Sequence, residues 1–182
     1  MSNTIDLAKE LISRKSITPD DAGCQKLIAD RLSKIGFSIE HLKYGDVDNL
    51  WATFGDSGPL FVFLGHTDVV PVSKGWSTDP FKATIKDKKL YGRGSCDMKG
   101  FIACALAYAP IFSKSELDRD IHFSFTFDEE TACKGAPILI QELKKRGLKN
   151  GICIVGEPTN MKIIDAHKGC YEYTTYFEGL AG

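Results

Sequence analysis

The chain has 182 residues, 43% of them apolar and 26% charged, with a formal net charge of −1. Such a length and balance fit one globular domain with a real core. No basic excess is present for nucleic-acid phosphates, and no run of about 18 apolar residues predicts a membrane span. The opening Met1-Ser2-Asn3-Thr4 does not read as a signal peptide, so the cytoplasm is the expected compartment. The six cysteines, Cys24, Cys96, Cys104, Cys133, Cys153 and Cys170, are scattered without a C-x-x-C pair. Reduced, mostly buried thiols are therefore expected rather than a disulfide framework or a thiolate zinc site.

In chain order, Thr4 is placed to cap a first helix carrying Ile5, Ala8, Leu11 and Ile12. Asp20 or Asp21 can cap a second, with Leu27, Ile28, Leu32 and Ile35 on one stripe and Gly36 as its stop. Residues 37–42 and 50–54 read as strands. The run 60–64 (L-F-V-F-L) is continuously apolar, as a central strand covered on both faces would be. Residues 81–91 suggest a hairpin turning at Asp87-Lys88. Residues 98–112 suggest a buried helix with Pro110 near its end. Residues 121–127 alternate as a strand, and 136–146 form a helix with Pro137 in its first turn, closed by Gly147. Residues 152–155 read as another buried strand, and 161–164 with 171–177 as a terminal pair. This alternation predicts a three-layer α/β/α domain.

The chemistry-bearing residues follow predicted strands, where α/β folds place their ligands. After the strand at 60 comes Gly65-His66-Thr67-Asp68. In an extended segment His66 and Asp68 point the same way, so the carboxylate can hold an imidazole suited to zinc or cobalt. Asp97 stands in Gly92-Arg93-Gly94-Ser95-Cys96-Asp97 at the start of a helix. Asp128-Glu129-Glu130 follows one apolar strand and Glu157 another. Each piece alone has an ordinary structural explanation. Together, one histidine and several acids at successive strand ends are the inventory of a two-metal site.

At these residues the sequence resembles the dinuclear-zinc amidohydrolases, the family of acetylornithine deacetylase, succinyl-diaminopimelate desuccinylase, aminoacylases and related carboxypeptidases. The shared segments are G-H-T-D-V-V-P from Gly65, W-S-T-D-P-F from Trp76, L-Y-G-R-G-S-C-D-M-K-G from Leu90, F-D-E-E from Phe127 and G-E-P-T from Gly156. The resemblance implies a zinc exopeptidase-like fold with two divalent ions, zinc or cobalt. It implies His66 and Glu157 on one ion, Asp97 bridging, Glu130 on the other, Asp68 orienting His66, and Glu129 as general base. It also implies hydrolysis of a small N-acyl amino acid by an enzyme that is a homodimer at full length; no nucleic-acid or membrane partner is expected, from the charge balance and the lack of a long apolar run. C-D-M-K-G-F-I-A-C-A-L-A and D-A-H-K-G-C-Y-E-Y from Asp165 favour the acetylornithine deacetylase branch over the desuccinylase. His167-Lys168-Gly169 reads either as part of the substrate side or as a turn.

Against this family the chain reads as truncated. Residues 1–175 are expected to form the N-terminal part of the catalytic domain and 176–182 the start of a missing lid and dimerisation domain. A late histidine on the second ion is missing with it. The segment Thr131-Ala132-Cys133-Lys134 also departs from the usual small, glycine-containing sequence. An inactive remnant that still binds metal is a competing expectation. A cysteine hydrolase using Cys96 or Cys104 with His122 lacks an oxyanion-hole motif.

Overall fold

The computed structural model describes residues 3–56, 58–148, 151–166, 168–169, 171 and 173–180. Two helices open it. Helix α1 (Asn3–Ile12) buries Leu7, Ala8, Leu11 and Ile12, while Ile5 faces solvent. Thr4 lies inside this helix and does not cap it. Helix α2 (Cys24–Ser33) buries Ile28 and Leu32. Asp21 does serve its start, since the Asp21 carboxylate accepts from Gln25 N–H at 3.1 Å. The stop at Gly36 also holds: its φ is +94°, and Phe37 N–H turns back to Leu32 O.

Five strands form one sheet: β1 (Ser38–Tyr44), β2 (Val47–Phe54), β3 (Leu60–His66), β6 (Asp120–Thr126) and β7 (Ile152–Val155). Their order is β1-β2-β6-β3-β7. The pairs β1·β2 and β2·β6 are antiparallel, whereas β6·β3 and β3·β7 are parallel. Between β3 and β6 lie the hairpin β4 (Thr84–Lys86) and β5 (Lys89–Tyr91) and helix α3 (Lys99–Phe112). The hairpin turns where expected, with Asp87 and Lys88 both at positive φ. Pro110 sits within the last turn of α3. The one-turn helix α4 (Glu129–Ala132) precedes α5 (Gly135–Lys145).

Alternation along the strands sorts side chains into two cores. Leu50, Ala52, Phe61, Phe63, Phe123 and Phe125 pack with α1, α2 and α3, and Trp51, Leu60 and Val62 pack with Leu139 of α5. The chain is thus a three-layer α/β/α domain, and β3 is covered on both faces as its apolar run predicts. A buried lysine fastens the helical layer: Lys99 Nζ donates to Leu11 O at 2.9 Å and Arg14 O at 2.8 Å, tying the end of α1 to the start of α3. Burial holds its pKa below the usual lysine value.

Four expectations are corrected. Strand β7 is not buried: it is the outer strand, with Ile152, Ile154 and Val155 exposed. The terminal strand pair is absent among the described residues of 161–180, whose backbone has no ladder partner. Helix α3 is buried on one face only, with Tyr108 and Ile111 exposed. The thiols are mostly exposed: Cys24 is buried, but Cys96, Cys104, Cys133 and Cys153 face solvent, all of them free. Three of these lie on loops or on β7, beyond the reach of either core. His167 and Cys170 lie outside the described residues. No helix among the described residues is long and apolar enough to cross a membrane.

Candidate metal centre

Three adjacent parallel strands, β6, β3 and β7, end at the same edge of the sheet, and the side chains singled out in the sequence collect there. His66 is the last residue of β3. Glu129 and Glu130 follow β6, and Glu157 follows β7 by two residues. Asp97 comes from the loop before α3, one residue ahead of the cap Met98. The Asp97–Met98 peptide is cis. Two glycines permit the approach of strand to helix. A Cβ on Gly65 would stand 2.8 Å from Met98 Cε, and one on Gly156 would overlap the Phe101 ring.

The His66 ring is buried and defines the centre. Its Nδ1 lies 3.0 Å from Asp68 O and 3.5 Å from Asp68 Oδ1. A carbonyl oxygen only accepts, so Nδ1 carries hydrogen and, in the neutral ring, the Nε2 lone pair faces the acids. Around Nε2 stand Asp97 Oδ1 at 3.2 Å, Glu157 Oε1 at 3.5 Å and Glu129 Oε2 at 3.7 Å. His66, Asp97 and Glu130 bring one ligand atom each within 4.8 Å of one another, and so do His66, Glu129 and Glu157. Asp68 does more than face His66, because its Oδ2 accepts the Glu130 N–H at 3.2 Å.

The structure thus brings together all six residues that the sequence singles out. Glu129 and Glu157 reach the ring equally, so distance alone does not separate a base from a ligand. His122, by contrast, is buried against Trp51 in the α5-side core, remote from Cys96 and Cys104, which are exposed on the α3 side. That placement removes the cysteine-hydrolase reading.

Charge decides what the site will accept. Burial works against a charged His66 ring, yet Asp68, Glu157 and Glu129 raise its pKa to about 9. Burial and the neighbouring Asp97 and Glu129 carboxylates push Glu157 up to about 7, against the pull of His66. Burial and Asp97 likewise raise Glu130. Asp68 stays low despite burial, because His66 and the Glu130 and Glu129 N–H groups favour its charged form. Crowded carboxylates beside one imidazole form a donor set suited to divalent zinc, cobalt or manganese.

The sequence profile of the M20/M25/M40 peptidases matches residues 62–180, the stretch that carries all six residues. The chain belongs to peptidase family M20/M25/M40. Within that family it is 49% identical over 169 residues to a succinyl-diaminopimelate desuccinylase of Methylobacillus flagellatus, covering 90% of this chain and 45% of the relative. A protein of the same name from Acinetobacter baumannii is 46% identical over 164 residues, covering 87% and 44%. The chain therefore spans less than half the length of these relatives. Among solved structures, the M20 family metallo-carboxypeptidase Sso-CP2 of Sulfolobus solfataricus superposes with a TM-score of 0.75 at 22% identity, over 86% of this chain and 37% of the other. Human carnosine dipeptidase 1 does so at 0.69 and 25%, over 84% and 38%. The M20 catalytic fold is thus shared.

The roles of two residues around the centre carry no sequence signal. Asn49 of β2 accepts from Phe127 N–H at 3.1 Å and donates to Gly135 O at 2.9 Å, bracketing the acidic turn. Asp128 is buried, with its backbone at φ 54° and ψ 43°. The partners of Asn49 are main-chain atoms more than 70 positions away, which no local pattern encodes.

Proposed function

We propose that this chain is the metal-binding part of a two-metal amide hydrolase, and that its substrate is N-succinyl-L,L-diaminopimelate, cleaved to succinate and the free diamino acid. The observation that carries the metal reading is the convergence of Asp97, Glu129, Glu130 and Glu157 on one buried imidazole at the ends of three parallel strands. The choice of acyl group comes from the relatives, named as desuccinylases at 46–49% identity. They move the reading from the acetylornithine branch favoured by sequence motifs to the succinyl branch. In this reading residues 1–175 belong to the metal-binding domain and 176–182 open a lid domain.

His66, Asp97 and Glu157 would hold one ion, and Asp97 with Glu130 the other, zinc or cobalt in each case. When bound, such ions supply a water of lowered pKa and polarise the scissile carbonyl. Glu129 takes the proton of the attacking water and returns it to the leaving amine. Asp68 keeps hydrogen on His66 Nδ1, so Nε2 remains a lone-pair donor. Asp68 also holds the Glu130 N–H, which couples the two ligand sets through one carboxylate.

Dialysis of the purified chain against micromolar zinc, followed by metal analysis, tests the site. Uptake by the wild-type chain and its loss in His66→Ala is the expected result. A folded chain, checked by circular dichroism, that takes up no zinc would overturn the site. The zinc-loaded chain is then offered N-succinyl-L,L-diaminopimelate and N2-acetyl-L-ornithine. Faster cleavage of the acetyl substrate would overturn the choice of acyl group. Metal uptake with turnover of neither would make the chain a metal-binding remnant.

A further inference from the structure

Three consecutive acids follow β6, but only two of them enter the metal cluster. Asp128 turns away. Its carboxylate is 3% exposed and lies between Thr18 and Lys134. Thr18 Oγ1 donates to Asp128 Oδ1 at 2.8 Å, and Lys134 Nζ stands 3.4 Å from Oδ2. Thr131 Oγ1 donates to Thr18 Oγ1 at 3.3 Å and so closes a ring across the turn.

The turn needs this support. Helix α4 is only four residues long, and one turn of helix does not hold itself, since nucleation fixes several residues for a single hydrogen bond. Its first residues are nonetheless Glu129 and Glu130, whose side chains must converge on His66. The chain reaches them through a left-handed residue, Asp128, a conformation that aspartate tolerates better than most side chains. Thr18 in turn is fixed to the sheet edge beside Asp68, because Thr18 N–H donates to Val69 O at 3.0 Å and Val69 N–H to Ser16 O at 2.8 Å.

We propose that Asp128, clamped by the Thr18 hydroxyl, is the positioning residue that aims Glu129 and Glu130 at the metal cluster. It touches neither metal nor substrate and acts through the two glutamates. The clamp and the Asp68 contact to Glu130 N–H are two separate holds on the acidic turn. The functional half of this inference rests on the metal reading proposed above.

The test uses the full chain and separates the two claims. In metal-free protein, Thr18→Val removes the hydroxyl at nearly constant volume. Amide hydrogen exchange in the segment 127–135 is expected to quicken about tenfold, with β3 unchanged, and Thr18→Ser is expected to restore protection. Unchanged exchange overturns the clamp, whether or not metal binds. Zinc affinity is then measured for wild type, Thr18→Val, Thr18→Ser, Glu129→Gln/Glu130→Gln and the combined variant. Thr18→Val is expected to weaken binding about tenfold, as loss of a supporting contact does, with rescue by serine. It should have no further effect when both glutamates are already replaced. A loss that adds fully in that background, or that serine fails to rescue, marks a general structural effect and overturns the positioning role. A folded wild-type chain that binds no zinc overturns the functional reading, and the clamp is then decided by exchange alone.

Discussion

The Asp68 carbonyl accepts from His66 Nδ1–H, so the ring turns its Nε2 toward the acids. The direction of the cluster's effect on stability can be worked out. His66 titrates near 9 in the folded metal-free chain against 6.5 ordinarily, so its contribution is full below about pH 6.5 and is lost as pH rises through about 9. Glu157 titrates near 7 against 4.5, so the folded chain holds a proton there that the unfolded chain has released, and stability again falls as pH rises through about 7. His122 and Lys99, both kept low by burial, have the opposite sign, His122 only below about pH 6.5 and Lys99 in the range just below about pH 10.5. In chelator, the melting temperature is therefore expected to fall from about pH 6.5 to about pH 9. In excess zinc the decline should flatten, because deprotonated ligands bind metal more tightly as pH rises. Thermal melts at several pH values, with and without zinc, read this; a metal-free chain that grows more stable toward pH 9 would contradict the electrostatics. At this scale His66, Asp68, Glu129, Glu130 and Glu157 were legible because polar residues just after an apolar strand demand a reason, and Asp97 because it stands at a helix start in a glycine-containing segment. The separate task of Asp128 was not, since nothing in Asp-Glu-Glu shows that a left-handed first residue turns its side chain away from the next two. Lys99 was equally hidden, because its partners are carbonyl oxygens more than 80 positions away.

Among the elements, the contact between strand ends and α3 sets the spacing of the site. Gly65 precedes His66 and Gly156 precedes Glu157, and each lets a ligand-bearing backbone lie against α3 or its cap. The two are not equally supported. Strand β3 is held by β6 and β7 on either side, whereas β7 is held by β3 alone among the described strands. A methyl group at 156 meets the Phe101 ring, and overpacking of that kind costs about 1–3 kcal/mol. The weaker element, β7, is the one that gives. Gly156→Ala is thus expected to displace Glu157 and lower zinc affinity with only a small change in melting temperature, and adding Phe101→Ala should recover part of the affinity. Calorimetric zinc titration of both variants checks this, and unchanged affinity in Gly156→Ala would remove the contact from the argument. The elements with a strong period or punctuation were readable: α3, β3, β6, and the hairpin at Asp87-Lys88. Helix α4 was not, being shorter than any period can mark. The burial of β7 was misread because an apolar run shows that a strand can be central, while its neighbours decide whether it is.

For the whole molecule, the sheet is closed on the β1 side by a polar, exposed strand and left apolar on the β7 side. Tyr44 apart, β1 shows solvent mostly charged and polar groups, while β7 shows Ile152, Ile154 and Val155. Beyond β7 the exposed side chains include Met161, Ile163, Tyr171, Tyr173, Tyr176 and Phe177, the last 91% exposed. An apolar edge strand with no second neighbour among the described strands, followed by a run of exposed apolar side chains, favours association with other chains. The 182-residue chain is therefore expected to self-associate as its concentration rises, by sedimentation velocity. A chain ending at Asn160 should do so less, since it keeps β7 but loses the apolar residues that follow. It should bind zinc as the longer chain does, because His66, Asp97, Glu129, Glu130 and Glu157 all precede the cut and the clustered donors include none after it among the described residues. Equal association of the two chains would place the adhesive surface on β7 itself. A shortened chain that folds but loses zinc affinity would instead show that a group beyond Asn160 reaches the metals, and the ligand set drawn from the strand ends would have to be enlarged.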